Sequence, residues 1–159
     1  MKPIDVQAIV DVLKMLQELE SAIAEFYTTC AQHFEENKNF WLRMAAQETG
    51  HSQNLSKMAE IILKDYQHFE RSRVFNPAAL KTIISGIIDA IQKVRSGKIP
   101  KSNILFIARD IEKSLVEARY SEIVQSSNVE YQNFLKEILS QTHDHQRLID
   151  GQIENMKRR

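Results

Sequence analysis

The chain is poor in the residues that break, cross-link or bias a fold. It has one cysteine in 159 residues, Cys30. A single thiol excludes an intramolecular disulfide, a CxxC redox pair and a cysteine-rich zinc site. Four glycines and three prolines leave few places for turns, so the chain must run in long segments. Neither sign of charge is in excess, because 21 Lys and Arg balance 21 Asp and Glu. That balance speaks against a nucleic-acid or anionic-membrane partner, since such domains carry a marked basic surplus. Two short basic clusters, Arg71–Arg73 and Lys157–Arg159, read as a loop and a terminus. No stretch approaches the ~20 apolar residues of a membrane span. The opening MKPIDVQAIVDV alternates charged and apolar residues and lacks the apolar core of a signal peptide. A soluble protein in a reducing, cytoplasmic setting is expected.

What the chain has in abundance is helical periodicity. Apolar residues recur at intervals of three and four nearly throughout, and nothing reads as a strand. A first helix is expected over about 5–36, a short turn at ENKN, and a second helix over about 40–65. Asn76-Pro77 looks like an N-cap followed by proline at the first helical position. It opens an apolar crossover helix that ends before SGKIP. Ser102 or Asn103 can cap a third long helix running to about Gln125. The fourth starts at SNVE (127–130), which has the serine and glutamate spacing of a capping box. Short links make antiparallel helix pairs, and the long connection between the pairs has room for its own helix. The expected fold is all-α: one domain over 1–159, an antiparallel four-helix bundle with one long crossover carrying an additional shorter helix, as in ferritin-like folds.

Writing each long helix as a seam exposes what does not belong there. The first seam reads Leu13, Leu16, Glu20, Ile23, Tyr27, Cys30, Phe34. The second reads Trp41, Met44, Glu48, His51, Leu55, Met58, Ile62. The third carries Leu105, Ala108, Glu112 and Leu115, and the fourth Tyr131, Leu135, Ile138, Thr142, His145, Ile149, Gln152, Met156. Spacings of three and four keep each set on one face, directed at the interior. Glu20, Glu48, His51, Glu112 and His145 therefore fall on core faces, each near the middle of its helix. Taken singly, each has an ordinary reading as an edge residue, a chance ExxH or a hydrogen-bonded core histidine. Together they are expensive, because carboxylates converging without cations repel one another. A bound divalent metal neutralises that charge and occupies the lone pairs.

The two helix pairs also form a weak internal repeat. Glu20 and Tyr27 in the first half correspond to Glu112 and Tyr120 in the second. On that pattern Glu48-xx-His51 predicts a Glu-xx-His at 142–145, and the sequence supplies Thr142-xx-His145. His143 and Asp144 lie about 100° and 200° around the helix from Thr142, so only His145 returns to the seam. Gly50, inside the second helix, leaves room for a close helix approach or a local bulge, and chance also accounts for it.

The segments ELESAIAEFY (18–27), AAQETGHSQNL (45–55), ARDIEKSLVEARY (108–120) and the helix around His145, in that order, resemble the rubrerythrin branch of the ferritin-like superfamily. These are di-iron carboxylate four-helix bundles. The resemblance implies that Glu20 and Glu112 are terminal carboxylate ligands, Glu48 a bridging one, and His51 and His145 the histidine ligands. It implies that Tyr27 and Tyr120 hydrogen-bond beside the ligands, with simple aromatic packing as the alternative. It further implies two irons per chain, with zinc or manganese also suited to the donor set. The implied activity is that of an oxidoreductase acting on peroxide or oxygen, or oxidising ferrous iron.

Two departures accompany it. One cysteine cannot build the rubredoxin domain of rubrerythrin proper, so electrons would come from a separate donor protein. Thr142 stands where a second bridging glutamate is expected, and its hydroxyl is too short to span two metals. Three carboxylates carry −3 against +4 on two divalent ions, so solvent or hydroxide would supply the remainder. The competing expectation is a non-catalytic or structural bundle with a degraded site that holds one ion, or none. Bundles of this type commonly pair. The crossover helix, with Ile83, Ile84, Ile87, Ile88 and Ile91, offers either a cover for a seam or the contact of a homodimer.

Overall fold

The computed structural model describes residues 3–72, 76–117 and 119–159. The chain is mostly helical. Its elements are α1 (Pro3–His33), α2 (Lys38–Asp65), β1 (Phe69–Arg71), α3 (Pro77–Arg95), α4 (Lys101–Glu117), β2 (Val124–Ser126) and α5 (Val129–Lys157), with 3-10 turns at Glu35–Asn37, Tyr66–His68 and Tyr120–Glu122. Among the described residues, no helix is long and apolar enough to cross a membrane.

Helix α1 packs along α2 and also carries α3, while α4 packs on α5 and α5 on α2. The seams are the buried stripes. Leu13, Leu16, Ile23, Tyr27 and Cys30 on α1 are closed to solvent, as are Trp41, Leu55, Met58 and Ile62 on α2. Leu105 and Ala108 on α4 and Tyr131, Leu135, Ile138 and Ile149 on α5 are buried with them. The side chain of Leu115 lies outside the described residues, as does Arg73. Each fully buried aliphatic side chain contributes about 1.5–3 kcal/mol, and this apolar majority offsets the few polar groups held among it.

Helix α3 lies over α1 with Leu80, Ile87, Ala90, Ile91 and Val94 buried. Of its five isoleucines, Ile83 and Ile84 are half-buried and Ile88 is exposed. The helix therefore turns most of its apolar stripe onto its own chain. Asn76 caps it by accepting from the Ala78 amide at 3.0 Å, with Pro77 at the first position as expected. Its end is a Schellman motif. Gly97, at φ +68°, donates its amide to the Val94 carbonyl and the Lys98 amide donates to Lys93. Only glycine adopts that backbone conformation without strain.

Several expectations change. The first helix ends at His33, and α2 begins two residues before Phe40. Helix α4 starts at Lys101, so Ser102 and Asn103 sit in its first turn, with the Asn103 amide on the Pro100 carbonyl. It stops at Glu117, well short of Gln125, and Arg119 takes a left-handed conformation (φ 50°). The residues after it form a 3-10 turn and then β2, antiparallel to β1 with Phe69 opposite Ser126 and Arg71 opposite Val124. Three-residue strands show no periodicity, so the sequence carries no signal of this sheet. Phe69 anchors it by packing edge-on to Tyr131, centroids 5.2 Å apart. Arg71 belongs to this strand and ion-pairs with Asp5 at 2.8 Å. The cap of α5 is Asn128, which accepts from the Tyr131 amide at 2.9 Å, and not Ser127. A Cβ on Gly50 would meet nothing within 4 Å, so that glycine serves no close approach.

Candidate metal centre

Glu20 on α1, Glu48 and His51 on α2, Glu112 on α4 and His145 on α5 are all closed to solvent. They converge as two triads. Glu20, Glu48 and His51 each offer a donor atom within 4.8 Å of the other two, and so do Glu48, Glu112 and His145. Glu48 belongs to both. Its Oε2 is 3.1 Å from His51 Nδ1 and its Oε1 is 2.8 Å from His145 Nδ1. Glu20 Oε2 is 3.8 Å from His51 Nδ1, and Glu112 Oε1 is 3.4 Å from His145 Nδ1. The two imidazoles lie near-parallel, with centroids 5.8 Å apart.

Each histidine turns Nδ1 to the centre and Nε2 outward onto a glutamine. His51 Nε2 donates to Gln141 Oε1 at 2.8 Å, and His145 Nε2 donates to Gln47 Oε1 at 2.5 Å. Gln141 is itself oriented, because its Nε2 donates to Glu137 Oε1 at 3.4 Å. The other Glu137 oxygen accepts from Asn54 at 3.1 Å. A proton fixed on Nε2 leaves Nδ1 as the inward donor atom, the arrangement by which metal-binding histidines are commonly held. Sequence reasoning missed both glutamines. Each directly precedes a position already singled out, in Gln47-Glu48-xx-His51 and Gln141-Thr142-xx-His145, so the internal repeat contained the signal.

The tyrosines cross between the halves. Tyr27 donates to Glu112 Oε1 at 2.5 Å and Tyr120 to Glu20 Oε1 at 2.8 Å. Tyr27 stacks on Trp41, while Tyr120 is carried by the 3-10 turn after Arg119 rather than by helix. Burial, then the charges of Glu112 and Glu20 respectively, push both phenols well above 10, so they stay protonated donors. Thr142 is buried, yet its hydroxyl donates back to the Ile138 carbonyl at 2.9 Å. That hydroxyl has turned onto its own helix and bonds none of the five converging residues. His143 is exposed and Asp144 pairs with Arg147; both stand apart from the centre.

The electrostatics show a cluster that holds protons. Burial, and next the charge of Glu48, push Glu20 up to about 8. Burial opposes charge on the imidazoles, but contacts with Glu20 and Glu48 lift His51 to about 10. Contacts with Glu112 and Glu48 lift His145 to about 9 in the same way. Burial would raise Glu48, but the close approach of His145 and His51 to its two oxygens outweighs it and holds the carboxyl low. Protons thus offset the buried charge, yet not every polar atom finds a partner. Glu20 Oε2, Glu48 Oε1, Glu112 Oε2 and His145 Nδ1 are buried without a hydrogen-bond partner. His145 Nδ1 and Glu48 Oε1 are 2.8 Å apart but not aligned on each other. Orphaned polar atoms at this depth cost about 1–3 kcal/mol each. Carboxylate and imidazole donors of this kind fit a divalent transition metal.

No family model matches the chain, and no curated protein or solved structure matches it either.

Proposed function

We propose that the chain is a ferritin-like four-helix bundle of the rubrerythrin type, a non-haem di-iron oxidoreductase that acts on peroxide or oxygen or oxidises ferrous iron. The observation that carries this reading is Glu48, whose two oxygens face two separate triads, as a bridging carboxylate would. In this reading Glu20 and His51 hold one ion, and Glu112 and His145 the other. Two irons would supply a ferrous–ferric couple and an open position for a small oxidant. Tyr27 and Tyr120 each donate to one oxygen, of Glu112 and Glu20 respectively, and keep their phenolic protons beside the centre. The seams around them exclude water. The one cysteine is buried, and in this reading electrons come from a donor outside the bundle. It works in the cytoplasm as a homodimer.

The test is aerobic addition of ferrous iron to metal-free protein. The reading predicts a ferric absorption band in the near ultraviolet and repeated turnover of peroxide. A protein that stays colourless and inert contradicts it. Thr142 favours a second reading, in which the second bridge is lost and one non-redox ion staples the helices. That reading predicts one metal per chain and a large fall in thermal stability on chelation, without peroxide turnover.

A further inference from the structure

Glu48 and Thr142 occupy equivalent places in the two halves, each three residues before its histidine and each buried. Glu48 gives one oxygen to each triad. Thr142 gives neither, since its hydroxyl is committed to the Ile138 carbonyl. Side-chain length makes the difference concrete, because threonine stops short of where a glutamate would carry its carboxyl carbon and two oxygens. Charge points the same way. Three glutamates leave a surplus of one positive charge over two divalent ions. Among the five converging residues, the buried atoms without a hydrogen-bond partner are three carboxylate oxygens and an imidazole nitrogen; these would face the cations, and an anion would contact the ions themselves.

We propose that the place of the missing carboxylate is a binding site for a small carboxylate-type monoanion, of the size of formate, acetate or bicarbonate. It rests on the two-metal reading and deepens it, because the anion completes the charge and the second bridge that the chain itself omits. Thr142 is the residue that determines this. Its side chain ends short of the place of that carboxyl group, and its hydroxyl is turned onto the Ile138 carbonyl and does not compete for it.

Cobalt(II) in place of iron gives a readout independent of turnover. The wild-type protein is loaded with cobalt and titrated with formate while its visible absorption is followed, and metal affinity is measured with and without formate. The expected result is a saturable change with one formate per two cobalt ions, and metal affinity at least about tenfold higher at saturating formate, as linkage requires of a ligand that binds only the loaded form. Thr142→Glu brings its own carboxylate, so it binds cobalt more tightly than wild type and shows no formate response. Thr142→Val removes only the hydroxyl and keeps the response; its loss there would make the hydroxyl the recognising group and overturn the proposal. Infrared spectra of 13C-formate on zinc-loaded wild type give a result that does not depend on any variant folding. A carboxylate stretch displaced from that of free formate is expected, and an unshifted one overturns the proposal. Two bound cobalt ions with no formate response overturn this inference alone. No cobalt uptake overturns the metal reading together with it.

Discussion

His51 and His145 reach the centre through the same ring nitrogen, and a glutamine accepts from the other nitrogen of each. The two glutamines are not equivalent. Gln141 is half-buried and locked by Glu137, whereas Gln47 is exposed and water can replace its carbonyl. Replacing Gln141 with leucine removes the group that fixes the His51 tautomer and leaves Nε2–H without a partner. Metal affinity, measured by competition with a chelator, should fall about 10–100-fold. Gln47→Leu should cost markedly less at His145, and equal losses would refute this account of how the rings are held. These residues also mark where the sequence stopped being legible. The five seam residues could be read because polar side chains on an apolar stripe contradict the pattern. A glutamine at the edge of a helix contradicts nothing, and its role appears only when another helix is packed against it. Thr142 was legible as an anomaly, but the rotation of its hydroxyl onto Ile138 was not, since a one-turn back-bond leaves no mark in composition.

The elements were read well along their lengths and poorly at their ends. Long amphipathic stripes fix where α1, α2 and α5 lie, and the pairing of their faces follows. Ends are decided by single hydrogen bonds that compete with near-equal alternatives. At the start of α5, serine and glutamate at capping-box spacing pointed to Ser127, while the neighbouring Asn128 makes the cap instead. Asn128→Ala should therefore destabilise the protein by about 1 kcal/mol in urea unfolding, and Ser127→Ala by much less. The reverse order would restore the capping box. The early end of α4 matters more for the site. Had the helix run on to Gln125, Tyr120 would have been an ordinary seam residue. Instead the left-handed Arg119 and the turn after it bring the phenol to Glu20. A left-handed non-glycine residue costs about 1–2 kcal/mol. The small sheet ties the segment that follows Tyr120 to the start of the crossover.

For the whole molecule, the centre links stability to pH, and the proposed metal reading adds a linkage of opposite sense. In the ion-free protein Glu20, His51 and His145 all have raised pKa values. Stability from these protons is fully present below the unfolded values, ~4.5 for the carboxyl and ~6.5 for the imidazoles. It declines as pH rises through about 8 for Glu20 and about 9 and 10 for the histidines. On the proposed metal reading divalent ions would replace those protons, so metal uptake near neutral pH should release protons into weakly buffered solution and affinity should rise with pH. The melting temperature gained on loading with metal should accordingly be larger at pH 8.5 than at pH 6. A gain that shrinks over that interval would mean the ions bind elsewhere.

The most direct measurement is the metal content of protein reconstituted with ferrous iron without oxygen, for wild type and for Glu48→Gln. Two irons per wild-type chain, falling to one or fewer when Glu48 can no longer bridge, is the predicted result. One iron or none in wild type, or two irons retained in Glu48→Gln, would contradict a pair of ions joined by that carboxylate.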